Sequence, residues 1–319
     1  MYILYLIPIC VSCCIFTQAQ VSNAYFNQKL PGNKPVIFAE GIISDEFGNR
    51  DMAISPNGDE LFYTIQFNYG AISTILYSKK INGKWTTPEV ASFSGRYKDL
   101  EPSFSYDGNT LYFSSDRPLT DTGKEKDYDI WYVTKMNGKW TNPTNMRKPV
   151  NTDKDEFYAS FAKNNNIYFT RAVDNREEDI MLCKFVNGKY SEAESLSDSI
   201  NSTGDEFNAF VDPDEQYIIF SGYKRTDGYG SGDLYISKKN KKGEWQAAKH
   251  LDTLINSSRL YYCPYVTPDK KYFFFTSNRG DIQLPFSKAQ SISDLKDLMH
   301  NPLNGFDNIY WIDAKQILK

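Results

Sequence analysis

The chain has 319 residues and a formal net charge of −4, with 36 Lys and Arg against 40 Asp and Glu. This near balance excludes the strongly basic surface that nucleic-acid binding or attachment to an anionic membrane requires. The 23 Tyr and 21 Phe are typical of a protein built from many short strands, because aromatic side chains suit the half-buried faces of sheets.

The first segment of the chain, Met1–Ala19, predicts a secretory signal peptide. It contains no Lys, Arg, Asp or Glu and is apolar over most of its length, although the usual basic start is missing. It is too short to span a membrane well. Cleavage near Ala19 predicts a secreted or periplasmic protein. One alternative is a lipoprotein anchored through Cys13, which follows a loose lipid-attachment motif, and another is a segment retained as a membrane anchor.

A sequence motif is repeated through the rest of the chain. Each copy combines a turn of Pro, Asp, Asn or Gly with a short strand of aromatic and β-branched residues, as in Ser105–Arg117. Five copies occur about 50 residues apart, with turns at Ser55–Gly58, Ser105–Gly108, Lys163–Asn165, Asp212–Asp214 and Thr267–Asp269.

A second hairpin follows each of the first four turns. Its own turn is Asn-Gly three times and Lys-Gly once, and Asn-Gly supplies the positive φ angles of a type I′ turn at little steric cost. Two hairpins in each period of about 50 residues predict one four-stranded propeller blade per copy. The turns are Asn82-Gly83, Asn137-Gly138, Asn187-Gly188 and Lys242-Gly243.

The fifth copy has no outer strand of its own, because the chain ends soon after Asn308–Ile312. A propeller must close its ring, since an open edge leaves an unpaired strand and an unpacked blade face. We therefore predict that Pro35–Ala39 supplies the missing strand, beside Asn308–Ile312.

The predicted fold is all-β: a single five-bladed β-propeller of four-stranded antiparallel blades, closed by an N-terminal strand. Six blades are the less favoured alternative. Residues 20–33 are predicted to be a flexible leader, and residues 34–319 the propeller. The insertion Ser287–Asn304 predicts a short helix over Leu295–Met299, opened by Ser293-Asp294. The blades are predicted to span Phe47–Val90, Asp99–Val150, Glu156–Leu196, Glu206–Leu251 and Tyr261–Lys319, the last with the N-terminal strand.

These motifs resemble the WD40-like Pro-Asp repeats of TolB-type periplasmic β-propellers. The turns at Pro56, Pro213 and Pro268, the strand Tyr112–Arg117 and the Asn-Gly-Lys-Trp hairpins carry the resemblance, which covers nearly the whole mature chain. It implies the fold and says little about function, because such repeats serve as binding scaffolds, envelope assembly parts and, in similar propellers, carbohydrate-active enzymes. TolB's own propeller has six blades, whereas this sequence has five repeats.

An Arg follows the second strand in four of the five repeats, and acidic residues precede the first strands on the same face of the disc. A residue that is needed in four blades is better explained by a structural role than by one ligand. We therefore predict bidentate Arg–carboxylate pairs that join neighbouring blades, formed by Arg117, Arg171, Arg225 and Arg279.

The ligand site is predicted where the repeat pattern is broken. Alignment of the first strands puts five different residues at equivalent positions facing the channel: Asp51, Glu101, Tyr158, Asn208 and Cys263. Unlike side chains around one axis form an asymmetric mouth, which a specific ligand requires. The predicted ligand-binding residues are Arg50, Asp51, Glu101, Tyr158, Asn208, Arg259 and Tyr262.

The predicted function is a secreted or envelope-associated module that binds a glycan, a peptide or an envelope protein. The alternative is a polysaccharide-active hydrolase or lyase with Asp51 and Glu101 as acid and base. The sequence has no nucleophile motif and no Cys/His spacing typical of zinc. We therefore expect no cofactor, no metal and no nucleic-acid partner.

Two loops are secondary candidates. Tyr223–Gly232 is rich in Gly and Tyr and has rings that stack on sugars, although a plain long loop needs no ligand. Asp121–Asp129 carries acids for calcium, but a solvated acidic loop is the favoured interpretation. Cys183 and Cys263 lie in different repeats, so they are predicted to be buried thiols and not a disulfide.

Overall fold

The computed structural model describes residues 25–120, 122–173, 178–280, 282 and 284–319. The predicted signal peptide, Met1–Ala19, and the candidate lipid-anchor residue Cys13 lie outside the described residues. Within the described ranges, no helix combines the length and the apolar character needed to cross a membrane.

The molecule is a ring of five antiparallel sheets, each of which is one blade. Strand β1 (Val36–Ile37) precedes the ring. Blade 1 contains β2 (Gly48–Ile54), β3 (Glu60–Phe67), β4 (Ile72–Ile81), β5 (Lys84–Trp85) and β6 (Glu89–Val90). Blade 2 contains β7 (Asp99–Phe104), β8 (Thr110–Ser115), β9 (Asp129–Met136), β10 (Lys139–Trp140) and β11 (Thr144–Asn145).

The other three blades follow the same order. Blade 3 contains β12 (Glu156–Phe161), β13 (Ile167–Ala172), β14 (Glu178–Cys183), β15 (Phe185–Val186), β16 (Lys189–Tyr190) and β17 (Glu194–Ser195). Blade 4 contains β18 (Asp205–Val211), β19 (Tyr217–Tyr223), β20 (Asp233–Lys238) and β21 (Lys249–His250). Blade 5 contains β22 (Tyr261–Val266), β23 (Tyr272–Ser277) and β24 (Asn308–Asp313). The five-bladed all-β fold predicted from the repeats is confirmed.

The N-terminal strand closes the ring as predicted. β1 pairs antiparallel with β24, with Val36 opposite Trp311 and Ile37 opposite Tyr310. Blade 5 therefore takes its outer strand from the start of the chain, which removes the open edge that a five-repeat chain would otherwise expose.

The leader differs from the prediction in its described part, because it packs against the closing blades. The Tyr25 ring lies 5.3 Å from the rings of Tyr272 and Trp311, and the Phe26 ring stacks on Trp85 at 5.0 Å. The Gln28 amide donates to the Ile37 carbonyl and accepts from the Ala39 N–H, both at 2.7 Å. We call the contact between two neighbouring blades a seam, and the contact between blades 5 and 1 the closing seam. These leader residues are part of the closing seam.

The Asn-Gly hairpins have the backbone that their sequence predicts. Asn82, Asn137 and Asn187 have φ of 51° or 52°, and each following Gly has φ between 74° and 79°. In the fourth hairpin, Gly243 has φ of 82°. Its loop is instead held by the Asn240 side chain, which accepts from the N–H groups of Lys242 and Glu244.

The core lies in the seams. Five clusters of buried apolar side chains each join two neighbouring blades, and the largest fully buried side chain is Trp311. Cys183 and Cys263 are buried and unbonded to each other, as predicted. The insertion in blade 5 forms helix α1 (Ile292–Met299), which begins earlier than predicted because Ser291 and Asp294 form a capping box.

Candidate functional site

The five aligned first-strand positions converge on the propeller axis. Each lies at a β-bulge where the pairing of the first and second strands shifts. Each has a positive φ between 48° and 61°, which is rare for residues other than Gly. A bulge re-aims the side chain, and here it turns Asp51, Glu101, Tyr158, Asn208 and Cys263 towards one another.

A ring of hydroxyls supports these bulges. In four seams, the bulged N–H donates to a Ser or Thr on the second strand of the preceding blade, at 3.0 to 3.3 Å. The fifth hydroxyl, Ser221 Oγ, is buried without a hydrogen-bond partner among the described residues. This recurrence was not predicted, although a Ser or Thr directly follows the apolar run of each second strand: Thr64, Ser114, Thr170, Ser221 and Thr276.

The converging side chains are held around Arg50. Its Nε donates to Asp51 Oδ1 at 2.8 Å and its Nη2 donates to Glu101 Oε1 at 2.7 Å. The Arg50 side chain is 12% exposed, whereas those of Asp51 and Glu101 are 0% and 3% exposed. The guanidinium also lies over the Tyr262 ring, 4.9 Å from its centroid. Arg50 thus pairs with two carboxylates in a buried site.

Further hydrogen bonds carry this network across the channel. Cys263 Sγ donates to Asp51 Oδ1 at 2.7 Å, and Asn208 Nδ2 donates to Glu101 Oε1 at 2.9 Å. The Tyr158 hydroxyl donates to the Pro264 carbonyl at 2.8 Å, which joins blade 3 to blade 5. These side chains at the axis are called the axial plug: Arg50, Asp51, Glu101, Tyr158, Asn208, Tyr262 and Cys263.

Burial and the charges of neighbouring groups together set the protonation of the axial plug. Burial raises the pKa of Glu101 from its ordinary 4.5 to about 7, with Arg50 opposing the rise and Asp51 adding to it. Burial acts to lower the pKa of Arg50, but Asp51 and the neighbouring acidic groups outweigh it and hold that pKa well above its ordinary value. Burial also raises the pKa of Cys263, so Arg50 stays charged and Cys263 stays a thiol.

The axial plug contains a group of potential metal ligands. One ligand atom from each of Asp51, Glu101 and Cys263 lies within 4.8 Å of the others. The Arg50 guanidinium is bonded to both carboxylates, so it already supplies the positive charge that a cation would bring.

The structure brings together all of the predicted ligand-binding residues except one. Arg259 is exposed, and its backbone N–H bonds to Ser257. Tyr262, at 5% exposure, lies in the plug. The mouth that the sequence predicts is therefore an internal layer, because bulges and long-range hydrogen bonds draw its side chains inward.

An open pocket lies on the other side of the axial plug. It has a volume of about 320 Å³ and extends from Tyr158 to the turns between first and second strands. Its wall is mostly aromatic, aliphatic and Pro side chains, including Phe104, Phe161, Phe210 and Tyr265. Lys270 is the one charged lining residue, and its Nζ lies 2.6 Å from Asp212 Oδ1. We call this the axial pocket.

The axial pocket was not predicted from the sequence, because it lies at the ends of the first strands and the predicted site residues lie at their starts. The signal that points to it is an aromatic residue near the end of four first strands, together with Pro in three of the following turns. These residues were interpreted as parts of the repeat and not as a lining.

The recurrent arginines do not join carboxylates of neighbouring blades. Arg171 Nε donates to Glu156 at 2.8 Å and Arg225 Nη1 to Glu206 at 2.7 Å, and Arg117 pairs with an acid of its own blade in the same way. All four arginines also donate to a carbonyl in the linker from the preceding blade. Each therefore fastens its blade to the incoming linker. Arg279 has Tyr261 in place of the acid, with the ring centroid 4.9 Å away.

The secondary candidates are less open than predicted. In the acidic loop, Asp121 lies outside the described residues, while Asp127 and Asp129 both pair with Lys126. In the Tyr223–Gly232 loop, Asp227 accepts a hydrogen bond from the Tyr235 hydroxyl at 2.9 Å. Both loops are thus tied to their own blades.

No protein-family model matches this chain, and no curated protein sequence matches it. Among solved structures, it is similar to a putative TolB from Agrobacterium tumefaciens, at 13% identity and a TM-score of 0.49 over 84% of this chain and 90% of that one. TolB from Acinetobacter baumannii is similar at 15% identity and 0.45, over 83% and 54% of the two chains. A GH62 hydrolase in complex with xylotriose is similar at 10% identity and 0.49, over 91% and 99%. These likenesses concern the fold alone.

Proposed function

We propose that this protein is a secreted or envelope-associated binding module that holds a peptide segment of a partner protein in the axial pocket. The observation that carries the proposal is a pocket of about 320 Å³ that is open at one face and closed at its base by the axial plug. A rigid floor preorganises the site, because ligand binding then orders few side chains.

The chemistry of the lining favours a peptide over a glycan. A sugar presents many hydroxyls, whereas the one charged lining residue, Lys270, is already paired with Asp212. Aromatic and Pro surfaces such as Phe104, Phe210 and Pro213 suit apolar side chains and extended Pro-containing segments. The volume lies near the lower limit of ligand pockets, about 300 Å³, which suits one or two side chains of a longer partner.

The geometry does not favour the hydrolase or lyase alternative for the predicted carboxylates. A general acid or base must reach the proton that it transfers. Asp51 and Glu101 are both bonded to Arg50 and almost fully buried, so a polysaccharide has no path to them in this arrangement.

The experiment that tests this proposal fills the axial pocket with a large side chain. Ser103 lines it, so Ser103→Trp should block the ligand. A phage-displayed peptide library and a glycan array are screened with the parent protein, and we expect selected peptides with apolar side chains to bind. Ser103→Trp should weaken their binding at least about tenfold, a loss of about 1.4 kcal/mol.

The control is Lys139→Ala, in the outer hairpin of blade 2 on the same face, which should bind like the parent. Thermal melting verifies that Ser103→Trp is folded. Ligands that bind Ser103→Trp with unchanged affinity, or a screen that yields glycans alone, would contradict the proposal.

A further inference from the structure

A second open groove lies at the outer rim, in the seam between blades 3 and 4. Its volume is about 630 Å³, and its lining includes Tyr168, Leu182, Ser195, Ser197 and Trp245. The Trp245 ring meets the Tyr168 ring edge to face at 6.4 Å. We call this the seam groove.

Strand register identifies the counterpart of the seam groove in the closing seam, between blades 5 and 1. In blade 3, Leu182 lies between Tyr168 and Glu194 in the strand register. In blade 5, Trp311 lies between Phe274 and Val36 in the same way. The outer strands end in the same turn, because the Ser197 and Ala39 carbonyls each accept from the N–H groups three and four residues later. Ser195 therefore corresponds to Ile37, and Ser197 to Ala39.

The hairpin tryptophans of the two seams also correspond. Lys239 lies over Trp245 at 4.7 Å from the ring centroid, and Lys80 lies over Trp85 at 4.8 Å. Each Lys is the register partner of its Trp across the hairpin. The two tryptophans thus occupy corresponding positions in their hairpins.

In the closing seam, this groove is filled by the leader of the same chain. Tyr25 packs on Trp311 and Phe274, Phe26 stacks on Trp85 with an angle of 11° between the rings, and Gln28 bonds to the backbone of Ile37 and Ala39. Two aromatic rings and one amide therefore complete the seam.

We propose that the seam groove binds a peptide segment of another protein that carries two adjacent aromatic residues and, two positions later, Gln or Asn. The first ring lies against Tyr168 and Leu182, and the second stacks on Trp245. The amide pairs with the Ser195 carbonyl and the Ser197 N–H, which the shared register leaves on the outer edge of blade 3. The smaller Leu182, where blade 5 has Trp311, leaves room for a large first ring.

Two segments of this chain that are described near its ends lie in other seams. The leader fills the closing seam, and Ile317, near the other end of the chain, is buried in the seam of blades 4 and 5. There Lys238 Nζ donates to the Leu318 carbonyl at 3.3 Å. The corresponding Trp140 contacts the ring of Phe104 in addition to that of Phe62, so a second ring of blades 1 and 2 packs on it.

The experiment uses the leader sequence as a probe. A fluorophore-labelled peptide with the sequence of residues 24–30, Ala-Tyr-Phe-Asn-Gln-Lys-Leu, is titrated into the full chain and followed by fluorescence polarisation. We expect saturable binding that weakens at least about tenfold for Trp245→Ala. Peptides with Ala in place of Phe or of Gln should weaken to a similar degree, and they test the site without altering the protein.

The matched control is Trp85→Ala, which alters the corresponding ring in the closing seam and should keep the binding. Loss of binding in Trp85→Ala with retention in Trp245→Ala would show that the peptide merely displaces the leader, and it would overturn the proposal. An absence of saturable binding at about 1 mM peptide would also overturn it. Ser103→Trp should bind this peptide normally, which separates this site from the axial pocket.

Discussion

Arg50 is the residue on which the centre of the molecule depends most. It is the counter-ion of two carboxylates that are almost fully removed from water. Removing one partner of a buried ion pair is costly because it leaves uncompensated charge. A residue predicted from the sequence to bind a ligand is, at this position, a structural cation.

The first prediction compares Arg50 with Arg259, since the sequence assigned both to the ligand site. Arg50→Ala should lower the free energy of unfolding by about 3–5 kcal/mol, because Asp51 and Glu101 are left unpaired. Arg259→Ala, at an exposed position, should change it by about 0.5 kcal/mol or less. Urea denaturation measures both, and equal losses in the two variants would contradict the assignment of Arg50 to the plug.

The second prediction concerns the pH dependence that Glu101 imposes. Its pKa rises from 4.5 to about 7 on folding, so the folded state binds the extra proton between these values. The stability contributed by this group is fully present below about pH 4.5 and is lost as the pH rises to about 7. The parent protein should therefore lose stability relative to Glu101→Gln across this interval.

Urea denaturation at intervals between pH 5 and pH 8 tests this dependence. The parent and Glu101→Gln are compared with Glu194→Gln, which alters an exposed carboxylate. A constant difference between the parent and Glu101→Gln over this range would show that Glu101 does not titrate as its burial requires.

At the scale of elements, the N-terminal segment contributes twice to closure. β1 pairs with β24, and the preceding leader covers Trp85 and Trp311 with two aromatic rings. Aromatic pairs of this kind add to the area that they bury. The leader is therefore an element of the fold and not a linker.

The third prediction separates these two contributions by truncation. Removal of residues 20–33 should lower the melting temperature, because it uncovers Trp85 and breaks the Gln28 hydrogen bonds. Removal of residues 20–40 should lower it much further or prevent folding, because blade 5 then loses its outer strand. Circular dichroism during heating measures both; a shorter truncation that melts like the parent would contradict the structural role of the leader.

At the scale of the whole molecule, the ring presents two candidate sites at different radii. The axial plug divides the channel, so the axial pocket is accessible from the face of the first turns. The seam groove lies further out, where β17 borders the hairpin of Trp245. A module that binds at the axis and at the rim suits an assembly role, in which one partner contacts several blades.

The sequence alone determined the architecture, because its signals are local and recur. The turn residues mark each hairpin, and the missing outer strand after Asn308–Ile312 required Pro35–Ala39 to close the ring. Alignment of the turns even identified the five axial positions, since a fixed period brings equivalent residues to one axis.

Only the tertiary structure decided what those positions do. The sequence shows no positive φ at Asp51 or Tyr158. Bonds that hold them span long stretches of chain, from Cys263 to Asp51 across 212 residues and from Tyr158 to Pro264 across 106. The axial pocket and the seam groove follow from the spaces between blades, which depend on side-chain sizes in two repeats at once. No local sequence pattern predicts such spaces, because a groove forms where the side chains of two neighbouring blades are too small to fill the space between them.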